Sequence, residues 1–394
     1  MTIEAGAEDS RRTYAVVGST GKATTCYLLE HLLSALGRST ALYSTVELKV
    51  GAERAPVEDA GALDVAALVA RAEQAGVDDT ILELRWVDLE RTDVPHLDVA
   101  MLTYLDEGIE GEHRDERLAA AEALLRSADR ALVLADDHSG VELAARVPGA
   151  ITVGTHLRGP DTDWLASVNA SRPDHIDFTV THRSGRSVST SLRIPTRFSI
   201  GYAALALVAV MELGVSGATI PRVLPRGLRP AVPGRVERVA DRPRCIVDIA
   251  YVPQRLERVV TQLRRSTKGR LYVVVGARGD HTPEERRAIG RAAAGADVVV
   301  VTDDDHGPAD DPAAIRADVL AAAREAGAAT VSEVAPRAAA IRGTVALAAP
   351  QDTVLVAGRG HLTRLQTGEV RGHLDDREEV RAGIAQRGAA PATS

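Results

Sequence analysis

Short apolar runs, each closed by glycine or polar residues and followed by a helical pattern, recur along the chain. The run "YAVVGSTG" (residues 14–21) reads as a buried strand entering a glycine turn. "TTCYLLEHLLSALG" then reads as a helix that stops at Gly37. "TALYSTV", "DTILELRW", "DVAMLTYL" and "RALVLADD" are further strands. "DVAALVARAEQAG" and "RDERLAAAEALLRSA" are helices between them. Such alternation predicts a largely parallel sheet covered on both faces. "ITVGTHLRG" and "HIDFTVTHRSGRSVSTSLRIP" continue as strands, with a hairpin turn near Ser184 and Gly185. "GYAALALVAVMELG" is an almost wholly apolar helix.

A proline-rich stretch at residues 221–235 interrupts the pattern, and a second βα alternation follows it. Its strands are "RCIVDIAY", "RLYVVVGARG", "DVVVVTDDD" and "DTVLVAGRGH". "LERVVTQLRRST", "PEERRAIGRAAAGA" and "IRADVLAAAREAG" are its helices. The expected layout is a flexible N-terminus at 1–12, a phosphate-loop α/β domain at 13–232 and a smaller Rossmann-like α/β domain at 233–394. Ligands of such sheets bind beyond the C-terminal ends of the strands.

Length and composition narrow the function classes. The chain has 394 residues, enough for two or three domains, and 45% are apolar although only 3% are aromatic, so Val, Leu, Ala and Ile must fill the cores. A net charge of −8 argues against a nucleic-acid footprint. Cys26 and Cys245 are too few for a disulfide scaffold or a thiolate zinc site. Without an apolar leader or a membrane-length apolar run, a cytoplasmic protein with no membrane partner is expected.

The "GSTGK" loop carries the first candidate chemistry. A strict phosphate loop has an earlier glycine, where Val16 stands, and Ser or Thr after its lysine, where Ala23 stands. The physical ingredients are nonetheless present. Gly18, Ser19, Thr20 and Gly21 offer backbone N–H groups, Lys22 a charge, and the helix start a favourable field for an anion. Thr24 and Thr25 supply hydroxyls. On pattern alone, nucleotide binding and a merely structural strand–turn–helix both fit.

A series of motifs in fixed order decides between them. The Mur ligases carry "GTNGKTTT" where this chain has "GSTGKATT", and "EVSSH" where it has "ELRWVDL". "VDYAHTPDAL" corresponds to "VDIAYVPQRL", and "GCGGDRDKGKRPLMG" to "GARGDHTPEERRAIG". "TSDNPR" faces "TDDDHG", "AGKGHE" faces "AGRGHL", "FDDRE" faces "LDDRE", and "VPGRVE" is retained. From about residue 14 to 380 the chain resembles this family, nearest to the branch that adds the third amino acid to the cell-wall precursor.

The resemblance implies an ATP- and Mg2+-dependent ligase. It would transfer the γ-phosphate to a carboxylate, let an amine attack the acyl phosphate, and release ADP. Lys22 would contact phosphates, with Gly18–Gly21, Thr24, Thr25, Arg235 and Asp248 around the nucleotide. Glu83 would hold magnesium together with Thr24; its alternative is a solvated strand-end carboxylate. The family's "DHLDYH" faces "GIEGEH", so its metal-binding histidine falls on Ile109 and only His113 remains. A carbamylated lysine of the family faces Glu122 across a one-residue gap. Glu122 is then either a built-in catalytic and metal-binding carboxylate or a helix-surface charge. Tyr202, where the family has a nucleotide-recognising asparagine, either stacks on a base or packs inside.

Asp304, Asp305, His306 and His361 occupy substrate-facing motifs. The arginine that reads the incoming carboxylate in diaminopimelate-adding enzymes is Gly307 here, and the glutamate of "AGKGHE" is Leu362. Loss of the arginine implies another nucleophile or none, and the consecutive acids Asp303, Asp304 and Asp305 either attract a cation such as a basic amine or form a solvated acidic loop. Only residues 1–12 precede the loop, where the family has a uridine-nucleotide domain. A small or carrier-bound carboxylate, as in secondary metabolism, and an amino acid or amine are therefore the expected substrates. A homodimer or a biosynthetic partner protein is compatible with this. The alternative is a degenerate nucleotide- or partner-binding relative without ligase activity.

Overall fold

The structure is a computed structural model that describes residues 11–57, 64–91, 94–105, 113–155, 161–172, 174–194 and 196–389. The chain divides into two compact units, Met1–Ala231 and Val232–Ser394.

The first unit runs β1 (Arg12–Val17), α1 (Lys22–Ala35), β2 (Thr40–Tyr43), β3 (Glu47–Val50), β4 (Glu53–Pro56), α2 (Val65–Gln74) and β5 (Asp79–Glu83). It continues through α3 (Trp86–Arg91), β6 (Leu97–Leu102), α4 (His113–Ser127), β7 (Ala128–Leu134), α5 (His138–Arg146) and β8 (Ile151–Thr155). It ends with β9 (Trp164–Ser171), β10 (Ile176–His182), β11 (Ser187–Leu192), α6 (Ser199–Glu212) and α7 (Ile220–Val223). These strands form one sheet in the order β11-β10-β9-β8-β7-β6-β1-β5-β2-β3-β4.

The stretch from β9 to β2 is parallel, while β10, β11, β3 and β4 pair antiparallel at the two ends. β1 lies between β5 and β6, so the strands reached later in the chain leave on either side of it. That is a switch point, where crevices open at strand ends.

Burial follows the sequence pattern. All five residues of β5 and the last four of β1 are buried, as a strand covered on both faces requires. From Ser199 to Met211 every residue of α6 is buried, because it packs on α1 and across β7–β10. Each such Leu or Val contributes roughly 1.5–3 kcal/mol over an exposed one.

The second unit comprises β12 (Glu237–Asp241), β13 (Arg244–Asp248), α8 (Pro253–Ser266), β14 (Leu271–Val275), α9 (Pro283–Ala293) and β15 (Val298–Val301). Then come α10 (Pro312–Glu325), β16 (Thr330–Glu333), α11 (Arg337–Leu347), β17 (Thr353–Ala357), β18 (Arg364–Thr367), β19 (Val370–His373) and α12 (Asp376–Ala389). Its sheet has the order β12-β13-β17-β14-β15-β16, parallel except for the edge strand β12. β18 and β19 form a separate hairpin. Asp248 closes β13, Asp304–His306 follow β15 and His361 follows β17, at the C-terminal ends of the strands, while Arg235 precedes β12. Among the described residues, no helix is long and apolar enough to cross a membrane.

Candidate active site

In the first unit the phosphate loop is sewn to the segment after β6. Ser19 N donates to Tyr104 O at 2.7 Å, and Ser19 Oγ donates to Leu105 O at 2.9 Å. Thr103 Oγ1 lies 3.1 Å from Val17 O and 2.7 Å from Thr20 O. Gly18 and Gly21 have φ of 140° and 92°. A Cβ on Gly18 would collide with Thr103, and one on Gly21 with the ring of Tyr202. These two glycines are thus required by conformation and by space.

Gly21 caps α1, whose first turn has no acidic residue, so its free N–H groups face the loop with their field unopposed. Lys22 Nζ donates to Gly18 O at 2.9 Å and stands over the same loop. Thr25 Oγ1 donates back to Gly21 O at 3.0 Å, which spends its hydroxyl on the helix. Thr24 is buried and makes no side-chain hydrogen bond among the described residues. Tyr202 is buried edge-on to Tyr104, with centroids 5.7 Å apart, and against Phe198. Of the two sequence readings, packing is the one realised.

Glu83 ends β5 directly beside Val16 of β1 and is 3% exposed. Its Oε2 accepts Thr45 N at 2.7 Å and Thr45 Oγ1 at 3.1 Å. Oε1 accepts no hydrogen bond among the described residues. A buried carboxylate with one open oxygen is a costly arrangement unless a cation completes it. Cys26 of α1 is fully buried. Burial first, then Glu83, push its thiol well up, and Lys22 pulls it down. Lys22 opens α1 after β1, and Glu83 closes β5, the strand beside β1. Thr45 carried no motif, and only the structure reveals it as the residue that orients Glu83.

Glu122 does not join this group. It lies on α4 with 24% of its side chain exposed, and Oε1 accepts Arg126 Nε at 3.0 Å. Oε2 is 3.7 Å from Arg146 Nη1 on α5. Against the expectation of a catalytic, metal-binding Glu122, its carboxylate is paired with Arg126 of the same helix and with Arg146 at the end of α5. Residues 108–112, with Ile109, and the His113 side chain lie outside the described residues.

In the second unit, Asp248 is fully buried at the end of β13 and saturated. Its carboxylate accepts Val236 N at 2.7 Å, Ala250 N at 2.8 Å, and Arg255 Nε and Nη2 at 3.0 and 2.9 Å. These bonds make Asp248 a latch between two loops and α8. Arg235 Nη1 is 3.2 Å from His361 Nδ1. Arginine can only donate, so this contact leaves Nδ1 unprotonated and puts the neutral ring's proton on Nε2.

The acidic loop is not an open cation trap either. Asp303 pairs with Arg316. Asp304 Oδ1 accepts Arg359 Nη1 at 2.9 Å, and Asp305 Oδ2 lies 2.8 Å from the same nitrogen. Arg337, fully buried, is held by Asp376 at 2.8 Å and lies 4.0 Å from Asp304. Burial raises the Asp304 carboxyl, but Arg337 and Arg359 outweigh it and hold it below its ordinary range. Internal arginines thus neutralise the charges expected to draw in a basic amine. His306 is tied to the hairpin: its N–H donates to Gln366 O at 3.0 Å, and its Nδ1 accepts Gly368 N at 3.2 Å.

Comparison with known proteins places this architecture. Residues 16–210 match the Mur ligase middle domain, and 234–360 match the Mur ligase glutamate ligase domain. The chain belongs to the Mur ligase family. It is 34% identical over 392 residues to the UDP-N-acetylmuramoyl-L-alanyl-D-glutamate–2,6-diaminopimelate ligase of Corynebacterium glutamicum, covering 94% of this chain and 75% of that one. It is 32% identical over 400 residues to the UDP-N-acetylmuramyl-tripeptide synthetase of Leifsonia xyli, covering 97% and 77%. A solved structure of a UDP-N-acetylmuramoyl-L-alanyl-D-glutamate–2,6-diaminopimelate ligase superposes with TM-score 0.66 at 25% identity, covering 96% and 79%. The chain is accordingly an ATP-dependent acid–amino-acid ligase that forms an amide bond, with ATP and Mg2+ as its cofactors.

Proposed function

We propose that the chain activates a small or carrier-bound carboxylate as an acyl phosphate and joins it to an amino acid or amine, releasing ADP and phosphate. The carrying observation is a glycine loop at the start of α1 under Lys22, with β5 beside β1 ending in a buried Glu83 that Thr45 holds through one oxygen.

Lys22 and the first N–H groups of α1 hold the phosphates. Thr24 and Glu83 are the residues fitted to magnesium, which when bound neutralises charge developing on the transferred phosphoryl group. Thr45 fixes the Glu83 carboxylate so that one oxygen remains available. The carboxylate oxygen takes the γ-phosphoryl group while the bond to ADP breaks. The amine nitrogen then bonds to the carbonyl carbon, phosphate leaves, and the amine gives up a proton.

For the nucleophile, Gly307 and Leu362 lack the charged groups that a diaminopimelate-type recognition would use. The acids beside them are engaged by Arg316 and Arg359. An amino acid read through other groups fits this better than a polyamine. His361, with its proton on Nε2, and Arg235 are the substrate-facing polar pair of that unit.

The test is ADP release with Mg-ATP across a panel of carboxylates, with hydroxylamine added to capture the acyl phosphate as a hydroxamate. Substrate-dependent hydroxamate supports the reading. Nucleotide binding with no ADP release for any acid would leave a degenerate nucleotide-binding relative, in line with the missing hydroxyl at Ala23.

A further inference from the structure

We propose that His96, Asp98 and Asp129 form a binding site for a divalent cation of zinc type, at the end of the first sheet opposite the phosphate loop. The sequence "HLDVAML" puts His96 and Asp98 two residues apart at the entry to β6. On an extended chain, such positions share a face. β7 runs parallel beside β6 with Leu97 opposite Ala128 and Val99 opposite Arg130, which sets Asp129 level with Asp98.

One ligand atom from each residue lies within 4.8 Å of the others. His96 Nε2 and Asp129 Oδ2 are 3.3 Å apart. That is about the separation of two ligands on one tetrahedral zinc, given metal–ligand bonds of about 2.0–2.2 Å. Asp98 Oδ2 is fixed by Thr13 N at 2.7 Å, so its other oxygen is oriented without being consumed.

Charge is the second observation. Two carboxylates stand level on adjacent strands, and among the described residues neither has a Lys or Arg partner. The more buried acids Asp79, Asp88 and Asp163 of this unit are by contrast paired with Arg38, Arg85 and Arg183. An imidazole nitrogen with two carboxylate oxygens favours zinc, cobalt or nickel over magnesium, and water would complete the shell. The site is distinct from the phosphate loop, being separated from it by roughly 16 Å of strand β6 at about 3.3 Å per residue. Bound there, the ion clamps the starts of β6 and β7.

The experiment is titration of the full chain with ZnCl2 in the absence of nucleotide, followed by calorimetry, with Co2+ absorption reporting nitrogen–oxygen ligation. One equivalent is expected to bind. His96→Ala and Asp129→Asn should each weaken it by about tenfold or more, because a three-donor site depends on every donor. Both positions are exposed, so folding is retained, and unchanged circular dichroism checks this. No zinc uptake by the parent, or an unchanged isotherm in the His96→Ala/Asp129→Asn double variant, would overturn the proposal and leave a simple His–Asp ion pair.

Discussion

Gly21 and Tyr202 are fitted to each other: a Cβ on Gly21 would fall under 3.0 Å from three atoms of the Tyr202 ring. The ring cannot easily give way, because Tyr104 and Phe198 hold it edge-on and it is 2% exposed. Gly21 also has φ of 92°, which side chains rarely adopt. Gly21→Ala should therefore destabilise the first unit by about 1–3 kcal/mol and abolish ATP binding, read by urea unfolding and calorimetry. Adding Tyr202→Ala removes the collision but not the backbone strain, so a gain in ATP affinity over Gly21→Ala alone is expected. Parent-like stability in Gly21→Ala would show that the loop can relocate freely.

Lys22 stands over the loop through its bond to Gly18 O. Exchanging that carbonyl for a phosphate oxygen converts a neutral acceptor into a charged one, which strengthens the bond. Lys22→Ala should lower ATP affinity by roughly 1–3 kcal/mol, measured by isothermal titration, with little change in unfolding midpoint. Equal affinity in the variant would assign the loop a structural role.

Much of this was legible in the chain, for physical reasons that also explain the gaps. β1, β5, β13, β14 and β17 are apolar because both faces of a parallel sheet are covered, so each run announces itself. β3, β4, β9, β18 and β19 did not, because hairpin and edge strands expose one face or both and read as polar. Glu83 was named through the match of "ELRWVDL" to a family motif, and its place at the end of a buried strand follows from the apolar run it closes. The partners of Asp248 and Asp304 were not legible. The two acids stand in ligand-binding motifs, but Arg255, Arg337 and Arg359 consume them, and a motif does not show which distant arginine folds onto it. Glu122 was placed by an alignment gap, and the α4–α5 packing that gives it Arg146 is invisible to a helical wheel.

Glu122 now carries an expectation opposite to a catalytic one. Its partners Arg126 and Arg146 are each 47% exposed, and pairs of this kind are worth about 0–1 kcal/mol. Glu122→Gln should retain turnover and shift stability within that range. Assays with and without bicarbonate should agree in parent and variant. A collapse of turnover with unchanged stability would restore the catalytic reading.

Acid should loosen the second unit through Asp304. Its folded carboxyl is held below the ordinary range, burial being outweighed by Arg337 and Arg359. The unfolded chain then binds protons at a higher pH than the fold does. The contribution is complete above the unfolded value near about 4 and disappears as pH falls through the depressed folded value. Asp304→Asn should lower stability at pH 7 by about 3–5 kcal/mol, as when one partner of a buried pair is removed. The loss relative to parent should shrink toward pH 3. A pH-independent difference in denaturation midpoint would show that Asp304 is not the titrating group.

Glu83 is the residue on which metal use turns. Its neighbour Thr45 satisfies one oxygen with two hydrogen bonds, and the other oxygen faces no donor among the described residues. A carboxylate so arranged has its position fixed by the fold and its charge left for a ligand. Glu83→Gln keeps the size and offers a neutral oxygen to the same neighbours, so Thr45 should remain bonded and stability should change little. Magnesium prefers charged oxygen ligands and keeps its waters otherwise. The variant should therefore require a higher magnesium concentration for ADP release and lose kcat, while nucleotide affinity without magnesium stays near that of the parent. Thr45→Val provides the complementary case. It removes the hydroxyl bond but keeps the backbone one, so it should cause a smaller shift in the same direction. If Glu83→Gln left the magnesium dependence of turnover unchanged, the buried carboxylate would be serving Thr45 and the β5 end alone, and the metal would have to be held elsewhere on the loop.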